Sequence, residues 1–107
     1  MLKSIGSKKI NIAVFISGTG SNLKILINHS LKRFSRFKIN LVVTNNSKAL
    51  GVHYATKYMI KKKIINYTYI KNAEKKILLE LKKSKIDLIC LAGFMKVLSK
   101  KFIKKFK

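Results

Sequence analysis

The sequence contains no proline, one cysteine and only 3 acidic residues among 107. Because Cys90 has no second cysteine to pair with, an internal disulfide is excluded, and a reducing, cytoplasmic compartment fits best. The longest unbroken apolar runs, Ile12–Ile16 and Leu88–Ala92, are far shorter than the about 20 residues that a membrane span needs. Since no Pro- or Gly-rich linker divides the chain, it forms one domain or part of a larger one.

Positive charge dominates the composition, with 25 Lys+Arg residues, a formal net charge of +22 and a hydrophobic content of 48%. That apolar content excludes a disordered polycation. Only Arg33 and Arg36 are arginines, although nucleic-acid recognition favours the bidentate arginine side chain. The lysines are scattered along the whole chain. We therefore interpret the charge as solvated surface and expect no specific nucleic-acid partner, only non-specific binding to polyanions at low salt.

Strands and helices alternate along the sequence. Continuous apolar runs bounded by glycine or asparagine indicate buried strands, and apolar residues at helical spacing indicate amphipathic helices. The predicted strands are Asn11–Ser17, Lys38–Thr44, Ile64–Ile70 and Asp87–Ala92; the predicted helices are Ser21 to about Phe34, Ala49–Lys61, Ala73–Ser84 and a final helical stretch after Ser99. Expected caps are the Asn45–Ser47 turn, Asn72 and Ser99, and residues expected to face inward include Leu31, Met59 and Ile103.

This order predicts an α/β fold, a Rossmann-like parallel sheet of about four strands with crossover helices. Residues 1–9 are short, polar and basic, and we interpret them as a disordered leader before a domain over residues 10–107. In parallel sheets of this kind, ligands bind at the carboxyl ends of the strands. The loops of interest are therefore Gly18–Asn22, after the first strand, and Gly93–Leu98, after the fourth.

The first of these loops, Gly18-Thr19-Gly20-Ser21-Asn22, is typical of a phosphate site. A glycine-rich turn into a helix leaves unpaired N–H groups that, with the helix dipole, attract an anion. The alternative is a plain turn with Ser21 as the N-cap. Leu23 replaces the third glycine of the dinucleotide fingerprint, and the triphosphate P-loop pattern is absent, which leaves a small phosphorylated metabolite.

Two motifs carry a resemblance to a known family. Ile16–Leu23 (ISGTGSNL) resembles the phosphate loop of phosphoribosylglycinamide formyltransferase, the folate-dependent enzyme of purine synthesis. Leu91–Ser99 (LAGFMKVLS) is similar to the folate loop of the same family. The resemblance covers about residues 10–107 and implies transfer of a formyl group from 10-formyltetrahydrofolate to glycinamide ribonucleotide.

The resemblance also implies two sets of binding residues. The phosphate of glycinamide ribonucleotide is expected at Gly20, Ser21 and Asn22, and the pterin of 10-formyltetrahydrofolate at Met95, Lys96, Val97 and Leu98. The alternative is that the apolar residues of the second loop belong to the core. An apolar loop at the ligand edge of a sheet nevertheless suits a flat heteroaromatic ligand.

Within the chain we assign no catalytic residue and no metal ligand. In the family, the oxyanion and the proton transfers are handled by an Asn-x-His motif and a later Asp, all C-terminal to the folate loop, and this chain ends before such a motif. His29 and His53 lie on predicted helices, and Cys90 alternates with apolar neighbours. Accordingly, we expect the chain to be inactive by itself, to have an exposed apolar edge at its fourth strand and to need a further C-terminal segment.

Two other functions remain open from the residues. One is a non-catalytic module that binds phosphorylated metabolites, and the other is a basic nucleic-acid-binding protein. The glycine loop supports the first, whereas the second has only the net charge in its favour.

Overall fold

The computed structural model describes residues 9–18, 21–96 and 98–106. The strands are β1 (Ile10–Ile16), β2 (Phe37–Thr44), β3 (Lys61–Ile64) and β4 (Leu88–Leu91); the helices are α1 (Ser21–Ser30), α2 (Leu50–Lys57), α3 (Ile70–Lys83) and α4 (Lys100–Phe106). All strand pairs are parallel and the sheet order is β3-β2-β1-β4. The predicted α/β class and parallel sheet of four strands are therefore confirmed. Among the described residues, no helix is long and apolar enough to cross a membrane.

The sheet is covered on both faces, because alternate side chains of β1 and β2 enter opposite cores. One core joins the sheet to α1 and α2 through Leu23, Ile27 and Ala55. The other joins it to α3 and α4 through Ile77 and Phe102. β1 lies in the centre of this sandwich, and its last five residues are buried, as expected for a continuous apolar run.

Gly51 is the point of closest packing between α2 and the sheet. A side chain there would overlap the buried Ile16 side chain and lie 3.1 Å from Leu23 Cδ2. Glycine has a lower helix propensity than alanine, but its lack of a side chain allows α2 to approach β1 closely. The sequence-based expectation that this glycine marks close packing is confirmed.

The third strand was predicted too late in the chain. The structure pairs Lys61–Ile64 with Leu41–Thr44, whereas the following apolar segment is irregular. There Ile65 and Tyr67 are buried, and Asn66 Oδ1 accepts hydrogen bonds from Thr68 N at 2.8 Å and Thr68 Oγ1 at 2.5 Å. This local turn ends the extended run. The prediction relied on apolar runs and therefore missed this strand, which begins with three lysines, because an outer strand needs little apolar surface.

Three side chains predicted to face inward are exposed. Leu31 lies beyond the end of α1, where the Ser30 hydroxyl donates to the Ile27 carbonyl at 2.7 Å and competes with the helix ladder. Met59 follows the end of α2 in a left-handed conformation, and Ile103 points to the open side of β4. Strand β4, also predicted to be buried, is only half-covered because it lies at the edge of the sheet.

Of the predicted caps, only Ser99 acts as one. Its Oγ accepts a hydrogen bond from Phe102 N at 3.0 Å, and Glu74 in turn accepts from Ser99 N at 2.8 Å and Ser99 Oγ at 2.6 Å. Asn72 lies inside α3, and the N-cap residue of α2 is Ala49, without a side-chain hydrogen bond. Since one carboxylate holds the start of α4 against α3, Glu74 is structural rather than an ordinary surface group.

Glu80 is the other buried acidic residue, and it ties α3 to the outer strand β3. Its carboxylate lies 2.9 Å from Lys61 Nζ and 3.7 Å from Lys63 Nζ. The hydrogen bond from Lys61 lowers the pKa of Glu80 below its ordinary value, against the effect of burial. Lys61 and Lys63 thus have a structural role in addition to solvation.

Candidate functional site

The loops that follow β1 and β4 lie side by side at one edge of the sheet. The two strands are parallel neighbours, and Phe15 pairs with Leu91 near their carboxyl ends. Beyond the strands, Met95 N donates a hydrogen bond to Ser17 Oγ at 2.9 Å. The predicted placement of both loops at the carboxyl edge of the sheet is confirmed.

The first loop connects β1 to α1 at this edge. Gly18 has open space around its Cα, and α1 begins at Ser21, so its first backbone N–H groups lie at the carboxyl end of β1. Asn22 is exposed, whereas Leu23 is fully buried and anchors the helix to the core. Gly20 lies outside the described residues. The described part of the loop offers a helix N-terminus and an exposed amide side chain, both suited to an anion.

The second loop turns at Gly93, whose φ of 81° is left-handed and strains any other residue. Phe94 then packs edge-on against Phe15 and Tyr67, with ring centroids 5.3 Å and 5.7 Å apart. Met95, the next residue, is 77% exposed. A large apolar side chain is thus presented to solvent by a loop whose neighbouring ring is fixed in the core.

The remaining residues of the second loop divide between surface and core. Lys96 is exposed, whereas Leu98 is half-buried and packs against the core that the sheet forms with α3 and α4. Val97 lies outside the described residues. Phe94 and Leu98 thus contact the core while remaining partly exposed, whereas Met95 is not a core residue.

Sequence reasoning missed the contribution of β2 to this edge. Ser17 Oγ donates a hydrogen bond to Asn45 Oδ1 at 2.6 Å, and Asn46 Nδ2 donates to the Ser17 carbonyl at 3.3 Å. The predicted turn is present, since Asn46 Oδ1 accepts a hydrogen bond from Lys48 N at 3.0 Å, but the asparagines do not cap α2 and instead connect the end of β2 to the end of β1. Their position directly after a strand was the available signal, because the carboxyl ends of parallel strands meet at one edge.

The residues interpreted as non-catalytic lie on two helices and one strand. His29 and His53 are exposed on α1 and α2, and Cys90 is half-buried in β4. Tyr67, which contacts Phe94 of the second loop, has a raised pKa. Burial, with the nearby charge of Glu74, raises the pKa of Tyr67 to about 12, so its phenol is neutral at physiological pH.

A parallel sheet covered by helices on both faces, with two loops meeting at its carboxyl edge, defines an α/β protein of the class in which ligands bind at that edge. The chain belongs to the formyl transferase family, whose model matches residues 10–107.

Individual relatives agree with this assignment. The chain is 39% identical over 106 residues to the trifunctional purine biosynthetic protein adenosine-3 of Homo sapiens, covering 96% of the chain and 10% of that protein. It is 36% identical to the phosphoribosylglycinamide formyltransferase of Dictyostelium discoideum, covering 90% of the chain and 52% of that protein. The resemblance seen in the two motifs is confirmed.

A solved structure shows the same fold. The phosphoribosylglycinamide formyltransferase of Brucella melitensis superposes with a TM-score of 0.88 and 31% identity, over 94% of this chain and 54% of that one. The chain thus spans about half the length of this structure and of the Dictyostelium protein, and about a tenth of the human one.

Proposed function

We propose that this chain takes part in the transfer of a formyl group from 10-formyltetrahydrofolate to glycinamide ribonucleotide, in the cytoplasm. The observation that carries the proposal is the hydrogen bond between Met95 N and Ser17 Oγ, which brings the two motif-bearing loops together. Membership of the formyl transferase family and the names of its relatives support the same reaction.

In this proposal the first loop binds the phosphate. Gly20, Ser21 and Asn22 hold the anion by backbone N–H groups at the start of α1 and by the exposed Asn22 amide. The strongly basic chain raises the local concentration of an anionic substrate at low salt.

The second loop forms part of the folate site. Met95, Lys96, Val97 and Leu98 line the pterin, with exposed Met95 as an apolar wall. An exposed methionine beside a ring fixed in the core suits a flat heteroaromatic molecule. The two ligands then approach each other across the ends of β1 and β4.

The reaction itself requires groups that we assign to none of the residues in this chain. The substrate amine attacks the formyl carbon, the new C–N bond forms, and the bond to the folate nitrogen breaks while a proton moves from the amine to that nitrogen. These steps need a hydrogen-bond donor that stabilises the oxyanion and a group that accepts the proton. We propose that they lie in a further segment, and that this chain supplies binding and orientation.

Calorimetric titration of the 107-residue chain tests the binding part. We expect both glycinamide ribonucleotide and 10-formyltetrahydrofolate to bind. Asn22→Asp places a negative charge at the phosphate position and should weaken ribonucleotide binding at least tenfold, although a carboxylate there favours the helix itself. Asn28→Asp, on an exposed position of the same helix, is the control for added charge.

A chimera tests the reaction. The chain is continued after Lys107 by the corresponding C-terminal part of the Dictyostelium relative, and formyl transfer is measured. We expect transfer in the chimera and none in the 107-residue chain. A folded chimera without activity contradicts the proposed reaction, and phosphate-ester binding without folate binding identifies a phosphate-binding module instead.

A further inference from the structure

The hydroxyl group of Ser17 joins the ends of three strands. Ser17 lies directly after β1, its side chain is almost fully buried, and its Oγ contacts Asn45 after β2 and Met95 after β4. We infer that Ser17 is a positioning residue that sets the folate-binding loop relative to the phosphate-binding loop. The inference rests on the proposed function and adds a residue that neither motif assigns to a ligand.

The direction of each hydrogen bond is determined by its partner. Asn45 Oδ1 is an acceptor, so the single hydroxyl proton of Ser17 points to it at 2.6 Å. The lone pairs of Oγ are then free to accept Met95 N–H at 2.9 Å. Asn46 Nδ2 holds the Ser17 carbonyl at 3.3 Å. The hydroxyl is thus oriented by β2 before it receives the loop from β4.

The bond to Met95 extends the pairing of β1 and β4 past the end of the strands. Ala92 N donates to the Phe15 carbonyl at 2.9 Å, and after the left-handed turn at Gly93 the next amide to reach β1 is that of Met95. A side-chain oxygen therefore replaces a backbone carbonyl where the chain has turned away from the sheet. The backbone that carries exposed Met95 is fixed at this point.

The same serine immediately precedes Gly18, which opens the phosphate-binding loop. One residue thereby holds both loops at the separation that two ligands must match for the amine to reach the formyl group. Phe94 fixes the loop laterally, against Phe15 and Tyr67, but its ring contacts leave the direction of the following backbone open. That direction is determined by the Ser17 hydroxyl.

Ser17→Ala tests this role by titration with each ligand separately. We expect the Kd of 10-formyltetrahydrofolate to rise about tenfold, the effect of losing one buried hydrogen bond. The Kd of glycinamide ribonucleotide should change less than about threefold, since the N–H groups of α1 remain. The matched control is Ser30→Ala, a buried serine whose hydroxyl bonds within α1, and it should change neither affinity.

Two further variants keep the test independent of one substitution. Ser17→Thr retains the hydroxyl and should restore most of the folate affinity. Asn45→Ala removes the acceptor that orients the hydroxyl but leaves Oγ in place, so it should weaken folate binding by less than Ser17→Ala does. If Ser17→Ala does not fold, the folate affinities of the other two variants decide the question. Tighter binding by Ser17→Thr than by Asn45→Ala supports the inference, and the reverse order contradicts it.

A readout without ligand completes the design. Amide hydrogen exchange at Met95 should accelerate at least tenfold in Ser17→Ala and remain unchanged in Ser30→Ala. If the unsubstituted chain binds both ligands and Ser17→Ala changes both affinities by the same factor, or neither, the inference is wrong while the proposed function stands. If the unsubstituted chain binds neither ligand, the proposed function is wrong and the inference falls with it.

Discussion

At the scale of single residues, Tyr67 supports the second loop through its ring and not through its hydroxyl. Its ring packs against Phe94 beneath the second loop, and its hydroxyl is buried without a hydrogen-bond partner among the described residues. A buried polar group without a partner costs free energy. The Tyr67 ring therefore stabilises the fold by its packing, whereas its hydroxyl destabilises it. The sequence indicated a strand residue here and offered no sign of this role.

Tyr67→Phe removes the unpaired hydroxyl and keeps the ring. At pH 7 we expect the free energy of unfolding to stay equal or rise by about 1 kcal/mol. Folding raises the pKa of Tyr67 from 10.0 to about 12, so the unfolded chain releases this proton more readily, and the unsubstituted protein loses stability between these two pH values. Tyr67→Phe should lack that loss.

Urea unfolding at pH 7 and pH 11 measures the free energy of unfolding of the unsubstituted protein and of Tyr67→Phe. Lysine titration affects both proteins equally, so the difference between them reports on Tyr67. Tyr69→Phe, at an exposed ring two residues along, is the control and should leave both curves unchanged. An equal loss of stability at alkaline pH in Tyr67→Phe and in the unsubstituted protein would contradict this account.

At the scale of elements, α2 and α3 both end at a left-handed residue that is not glycine, Met59 after α2 and Lys85 after α3. After α2, Met59 N donates to the Thr56 carbonyl and Ile60 N to the Ala55 carbonyl, which is the Schellman arrangement. The left-handed position is occupied by Met59, at a φ of 58°. This turn rotates Met59 outward and brings Ile60 against the core, which explains why the helical period failed to predict the inward residue.

Met59→Gly should stabilise the fold by about 1 kcal/mol. Glycine adopts the left-handed conformation without a Cβ penalty, and the Met59 side chain, 92% exposed, has little packing to lose. Thermal unfolding measures the gain. Lys57→Gly, at the last residue of the helix, is the control and should destabilise by up to about 1 kcal/mol. A lower melting temperature for Met59→Gly would mean that the methionine makes a contact worth more than the relieved strain.

At the scale of the whole molecule, the two outer strands differ in how they meet solvent. Strand β3 carries Lys61, Lys62 and Lys63, which discourage pairing with another chain. Strand β4 reads LICL, with Leu88 and Leu91 more than half exposed beside Ile103 of α4. Together they line an apolar groove of about 200 Å³ that also contacts Phe102 and Phe106. The exposed apolar edge expected at the fourth strand is present.

We predict that the 107-residue chain self-associates through β4. Leu91→Lys should shift sedimentation toward the monomer, because a charge on an outer strand opposes edge-to-edge pairing. Leu79→Lys, at an equally exposed leucine on α3, is the control and should leave the association unchanged. A monomeric unsubstituted chain with a sharp, reversible melt would contradict the prediction.

The amino-acid sequence by itself determined the alternation of strands and helices, the two motif-bearing loops and their place at one edge, because continuous apolar runs, helical periods and glycine turns are local signals. It also indicated the close packing at Gly51. Only the tertiary structure decided that a lysine-rich segment forms β3, since its pairing comes from β2 and its charges are met by Glu80. The link from Ser17 to Asn45 and Met95 was equally beyond local reading, because it joins residues 28 and 78 positions apart that meet only when the sheet has formed.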